Sequence, residues 1–203
     1  MCKQCERDWW RRGQAAIKEG LIFRNYNIVD GMPKDKDGKE IAKLIGYGLD
    51  FGFTNDPTAC LAVYESGGEL YVRELVYETG LTNPQIADKF NGLGLSRTKE
   101  IIGDSAEPKS IAEIHNHNWN VKGAKKGPDS IKNSIDILKR YPLNITRDSV
   151  NMIKELNTYK WAEDKEGKKL NVPVDFNNHL IDALRYVALN KLAKDNHGVY
   201  HVR

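Results

Sequence analysis

The sequence predicts a mixed α/β domain, and two patterns carry that prediction. Three strand-like runs follow one another, the last two separated by a hairpin signal; beyond them, apolar runs alternate with helical periodicity, the order that produces crossovers and parallel strands. At 203 residues the chain suits one domain with a proper core plus an extension.

Residues 1–40 differ from the rest. CERDWWRRGQAAIKEG is basic and aromatic, and DGMPKDKDGKE is a charged loop punctuated by Gly and Pro, so this stretch reads as a linker or joint. The domain is therefore expected over 41–203. Leu44 to Asp50, Thr58 to Tyr64 and Glu69 to Tyr77 are the opening strands, with Ser66-Gly67-Gly68 turning the second into the third. Asn83-Pro84 then starts a short helix over Gln85 to Asn91 that stops at Gly92. Lys99 to Asp104 is a fourth strand, Ser105 to Asn116 a helix begun at Pro108, and Trp119 to Ala124 a fifth strand. Pro128 to Tyr141 carries Ile131, Ile135 and Leu138 as one apolar stripe. Leu143 to Arg147 adds a strand and Ser149 to Trp161 a helix; Glu163 to Val174 is a polar hairpin about Glu166-Gly167, and Asn178 to Leu192 is the last helix.

Carboxylates fall at telling places in this order. Asp50 ends an apolar strand in IGYGLDFGFTNDPTA, where a buried charge needs a cation, a hydrogen-bond network or a metal. Asp104 ends the fourth strand in EIIGDSAEPKS. If those two strands are parallel neighbours, the acids meet at matching ends, where open α/β sheets bind ligands. In NNHLIDALRYVAL a turn of 100° per residue puts His179, Asp182, Ala183 and Tyr186 on one helix face. Small Ala183 lets that face approach the sheet, aiming His179 and Asp182 at the strand ends. Such a donor set suits hard divalent cations, Mg²⁺ or Mn²⁺, with the imidazole better tolerated by Mn²⁺.

Each acid also has an ordinary use. Asp50 could cap the FGFTNDP turn, Asp104 the following helix, and Asp182 could serve as a first-turn acid. All three together, in this order of elements, favour the metal site. Glu107 reads as a first-turn Glu and Asp56 as part of the Asn55-Asp56-Pro57 turn. His179 is open between metal ligand and general base. Cys2 and Cys5 with His115 and His117 lack the paired spacing of a zinc site, and His115 to His117 read as a helix end running into a turn.

Composition excludes other classes. Three cysteines, no long apolar run and no leader pattern point to a reducing cytoplasm without a membrane partner. The 31 basic and 28 acidic residues leave a net charge of +3, compatible with nucleic acid without indicating it. No GxxxxGK[ST] loop is present, and GAKKGPDS lacks its ending, so ATP hydrolysis is not expected.

The strand-hairpin-hairpin order followed by crossovers resembles the RNase H-like fold. More specifically, GLDFGFTNDPTA, GDSAEPKSIAEI, GAKKGPDSI and NNHLIDALRYVAL, in that order, resemble the C-terminal nuclease domain of the large terminase subunit of tailed bacteriophages. The likeness covers nearly everything after Ile41. It implies an endonuclease that cuts concatemeric double-stranded viral DNA during genome packaging in the cytoplasm of an infected bacterium. Asp50, Asp104 and Asp182 then bind two catalytic cations, with His179 as ligand or helper. The ATPase domain of the same full-length protein, the portal and the small terminase subunit are the implied partners, and residues 1–40 resemble the joint to that ATPase domain.

DNA needs positive groups beside those acids. Lys122, Lys125 and Lys126 in VKGAKKG precede a helix start, and Lys165, Lys168 and Lys169 sit in the polar hairpin. Trp119 and Trp161 read as packing residues instead of base-stacking platforms. Two rival functions are another RNase H-like nuclease, cutting junctions or RNA hybrids, and a non-catalytic DNA-binding or docking module whose acids hold a structural ion.

Overall fold

The β-branched and aliphatic run of TACLAV, buried at every position, marks the centre of the architecture. A strand buried on both faces needs a layer of helices on each side. The computed structural model describes residues 20–193, and it has that three-layer form. Seven strands make one sheet in the order β1-β7-β4-β3-β2-β5-β6. They are β1 (Tyr26–Val29), β2 (Lys43–Asp50), β3 (Thr58–Ser66), β4 (Glu69–Glu78), β5 (Ile101–Gly103), β6 (Val121–Gly123) and β7 (Leu143–Thr146). A separate hairpin pairs β8 (Trp161–Glu163) with β9 (Lys169–Pro173). The helices are α1 (Asn83–Gly92), α2 (Pro108–Asn116), α3 (Ser130–Leu138), α4 (Val150–Leu156) and α5 (His179–Val187). The expected RNase H-like mixed α/β class is the one observed.

Strands β2, β3 and β4 form an antiparallel meander, while β5 joins β2, β6 joins β5, and β7 joins both β4 and β1 in parallel. Alternation in β3 sorts the core into two halves. Ala59, Leu61 and Val63 face α3, α4 and α5, packing with Ile135, Met152, Leu156 and Leu184. Cys60 and Ala62 face the other way, toward Ile86 and Phe90 of α1 and Ile114 of α2. Trp119, 2% exposed, closes that second half edge-on to Phe90 at 5.4 Å. The expected packing role of Trp119 holds, and Trp161 likewise packs at the rim of the first half.

Part of the expected linker belongs to the domain. Ile22 and Phe23 are buried, Ile22 N–H donates to the Tyr159 carbonyl at 2.9 Å, and Phe23 stacks on Tyr159. β1 then adds an edge strand beside β7. The boundary at residue 40 falls too late because YNIV is a half-exposed edge strand without clean alternation, and the charged loop after it disguised the join. Residues 1–19, with Cys2 and Cys5, lie outside the described residues.

The last helix departs from regularity where it was expected to continue. After Val187 the backbone widens into a π-helical turn over Ala188–Leu192. Asn190 Nδ2 donates to the Tyr186 carbonyl at 2.8 Å, while its Oδ1 accepts the Lys125 backbone N–H at 3.2 Å. The helix end is thus stitched to the loop after β6. Among the described residues, no helix is long and apolar enough to cross a membrane.

Candidate active site

Parallel pairing of β2 with β5 sets the first half of the site. Leu49 is opposite Gly103, so Asp50 and Asp104 leave the sheet side by side at the same ends. A packing contact without side chains sets the second half. A Cβ on Gly48 would lie 2.2 Å from the Ala183 carbonyl oxygen, so α5 rests directly on β2 at this point. Both small residues are needed for that approach, and it brings His179, Asp182 and Tyr186 over the strand ends.

The buried Tyr186 hydroxyl lies 3.3 Å from Asp50 Oδ1 and 3.1 Å from Asp104 Oδ2. A phenol has one hydrogen to donate, so two carboxylates converge where only one can be satisfied. Each acid also has a nitrogen partner. His179 Nδ1 pairs with Asp50 Oδ2 at 3.1 Å, Lys126 with Asp104, and Arg185 with Asp182 Oδ1 at 3.2 Å. That is where Asp50 finds its counter-charge. It makes no side-chain hydrogen bond to the FGFTNDP turn, which Thr58 Oγ1 secures by donating to the Gly52 carbonyl at 2.8 Å.

Electrostatics differ among the three acids. Burial raises the Asp50 carboxyl above its ordinary range, against the lowering pull of its hydrogen bond to His179, and the negative charge of Asp104 adds to the rise. Burial pushes Asp182 up to about 7, with Arg185 opposing. Asp104 is less enclosed; burial works to raise it, but the Ala106 N–H at 2.7 Å and the Lys126 ammonium outweigh that, and its carboxyl lies below the usual range. The His179 imidazole is raised, chiefly by its hydrogen bond to Asp50. Its Nε2 lies 3.6 Å from Asp56, which is exposed in the turn after β2 and not gathered with the other acids.

Asp104, Lys126, Asp182, Arg185 and Tyr186 line a cleft of about 450 Å³, closed on its far side by Val172 and Pro173 of the β8–β9 hairpin. Among the described residues, no three His, Cys, Asp or Glu side chains are grouped closely enough to hold a metal ion as they stand. The donor set nonetheless fits hard cations: carboxylate oxygens that share too few protons, neutralised by side-chain nitrogens where a metal would neutralise them.

The expected lysines divide. Lys126 is committed to Asp104 and Lys122 to Glu100, while Lys125, Lys165, Lys168 and Lys169 are exposed. Glu107 faces the neighbouring cleft beside Asp56 and Glu113, away from Asp182. His115 and His117 are exposed at the end of α2, as expected of a helix running into a turn.

Comparison with known proteins matches this site's whole span. The terminase RNase H-like domain family covers residues 50–190, from the first acid to the end of the last helix. The chain belongs to that family. It is 31% identical over 181 residues to the large terminase subunit of Bacillus phage SPP1, covering 84% of this chain and 42% of the relative. It is also 31% identical over 184 residues to the PBSX phage terminase large subunit of Bacillus subtilis, covering 87% and 41%. The chain thus spans about two fifths of these relatives' length. Among solved structures it resembles the SPP1 large terminase nuclease domain with bound Mn, at a TM-score of 0.71 and 27% identity over 82% of this chain and 97% of that one. The phage P22 large terminase nuclease domain, 13% identical at a TM-score of 0.62, shares the fold.

Three residues of this terminase domain's site escaped the sequence analysis. Tyr186 was placed on the right face without a role. Arg185, 6% exposed, carries a buried charge that helical periodicity alone assigns to no partner. Glu155, 2% exposed, reaches from α4 to accept the Ile181 N–H at 2.9 Å, holding the first turn of α5. Burial pushes Glu155 up to about 7. A single charged residue in an otherwise apolar helix face was its only signal.

Proposed function

We propose that this domain is a metal-dependent endonuclease that cuts concatemeric double-stranded DNA during viral genome packaging. One observation carries the reading: Asp50 and Asp104 converge on a single phenolic hydrogen, and Asp104 and Asp182 line one cleft beside it. Carboxylates so arranged draw side-chain nitrogens to them, and a divalent cation would take the place of those nitrogens.

Asp50, Asp104 and Asp182 would hold two cations, Mg²⁺ or Mn²⁺, with His179 beside Asp50. When bound, such cations would supply a nucleophilic hydroxide and stabilise the leaving oxygen. The protein's own part is positioning. Tyr186 bridges Asp50 and Asp104, and Asp50 fixes the His179 ring so that Nε2 points toward exposed Asp56, 3.6 Å away, where it would exchange a proton with water. The exposed Lys125, Lys165, Lys168 and Lys169 are the proposed phosphate contacts, with Lys122 and Lys126 available if their acidic partners release them.

The SPP1 nuclease domain carrying bound Mn supports the choice of ion. The relatives' greater length supports a further domain in the same full-length protein, which the proposal takes as the ATPase; the host cytoplasm, the portal and the small terminase subunit complete the proposed setting. Incubating the protein with supercoiled plasmid in Mn²⁺, Mg²⁺ or EDTA tests the reading. Nicking and linearisation are expected with either metal, more with Mn²⁺, and equal cutting in EDTA would sink it.

A further inference from the structure

The three acids are neutralised by three different nitrogens, and those nitrogens are not equally free to leave. Arg185 projects from the last turn of α5, its side chain 8% exposed and enclosed by its neighbours. His179, on the same helix, is held between Asp50 at the end of β2 and Asp56 in the turn that follows. Lys126 is different. Its side chain is 39% exposed, it stands on the loop between β6 and α3, and Gly127 beside it has open space around it. Its ammonium sits on Asp104 and 5.3 Å from the Tyr186 ring centre, over the hydroxyl's own ring. A flexible four-carbon stem lets such a point charge swing without backbone movement.

We propose that Lys126 is a resident counter-ion, neutralising Asp104 while the site lacks metal and competing with the divalent cation for that carboxylate. The proposal rests on the nuclease reading above. Cation loading and the Lys126–Asp104 pair are mutually exclusive at one oxygen, because a dication held there occupies the ammonium's place and repels it. Once displaced, the ammonium remains at the wall of the same cleft, positioned for the phosphate of an incoming strand. One side chain thereby opposes metal in the empty site and favours DNA in the loaded one.

Calorimetric titration of the full chain with Mn²⁺, without DNA, tests this directly. Lys126→Ala and Lys126→Met should each bind Mn²⁺ roughly three- to tenfold more tightly than wild type, the scale of one partly exposed ion pair. Lys126→Arg should restore wild-type affinity or weaken it. Affinity unchanged or lowered in both Lys126→Ala and Lys126→Met would overturn the proposal while leaving the nuclease reading standing. No Mn²⁺ binding by wild type would overturn both. A short DNA duplex titrated by anisotropy in Ca²⁺ should bind Lys126→Ala more weakly than wild type, and tighter binding would overturn the second half of the proposal.

Discussion

Asp50→Asn separates a metal ligand from a structural acid. Burial outranks the His179 hydrogen bond in setting the ionisation of Asp50, and Asp104 adds repulsion, so the charge is less welcome in the folded protein than in the unfolded chain. Removing it relieves that penalty and forfeits a charge-assisted bond of about 1.5–3 kcal/mol, so the metal-free melting temperature should be unchanged or raised. Metal should then separate the two proteins. A ligand at 100 times its Kd stabilises the folded state by about 2.7 kcal/mol. For a domain of this size that is roughly 5–10 °C, which wild type should gain with Mn²⁺ and Asp50→Asn should largely fail to gain. Differential scanning calorimetry with and without Mn²⁺ reads both numbers. A mutant destabilised by about 1 kcal/mol or more, on the order expected of a missing cap, that still gains the full metal shift would refute the reasoning.

Further outcomes follow from the same geometry. Gly48→Ala should drive α5 off β2, costing about 1–3 kcal/mol in urea denaturation and abolishing the Mn²⁺ shift, because the added carbon meets backbone that cannot rotate away. The His179 pKa is raised by Asp50, so the pair's contribution to stability is fully present below 6.5 and is lost as pH rises through the folded-state value. In NMR titrations Asp50→Asn should lower the His179 pKa, and in denaturation it should remove that part of the stability loss. Replacing Lys165, Lys168 and Lys169 together by Ala should weaken duplex binding and flatten its slope against log salt by about 0.9 for each phosphate no longer neutralised. An unchanged slope would make the hairpin a solvated face.

Local signals were strong wherever the chain's own neighbours decide the structure. Alternation and Ser66-Gly67-Gly68 placed the β2–β4 meander, and the segment from His179 to Arg185 placed two polar side chains on one face with Ala183 beside them. What escaped depended on partners distant in sequence. Glu155 and Arg185 look like surface charges until the backbone of α5 and the carboxylate of Asp182 receive them. Lys126 looked like a free cation because nothing nearby in sequence announces Asp104 as its partner. β1 is a strand chiefly because β7 offers it an edge, and YNIV alone does not insist on it. The strand before Asp104 ran shorter than expected because Asp104 turns back onto the Ala106 N–H, ending the ladder at Gly103.

The wiring of the sheet also sets when the acid site is assembled. Asp50 comes from its first central strand and Asp104 from the crossover beside it, whereas Asp182 arrives on the last helix, which packs across β2 from the far end of the chain. Contacts so far apart in sequence form late, after the loops between them have closed. A chain still being synthesised, or one that has formed only its meander, therefore carries its acids without the complete constellation. On the proposed nuclease reading, hydrolytic competence would be the last property this topology acquires, and a partly folded copy would leave the DNA around it intact.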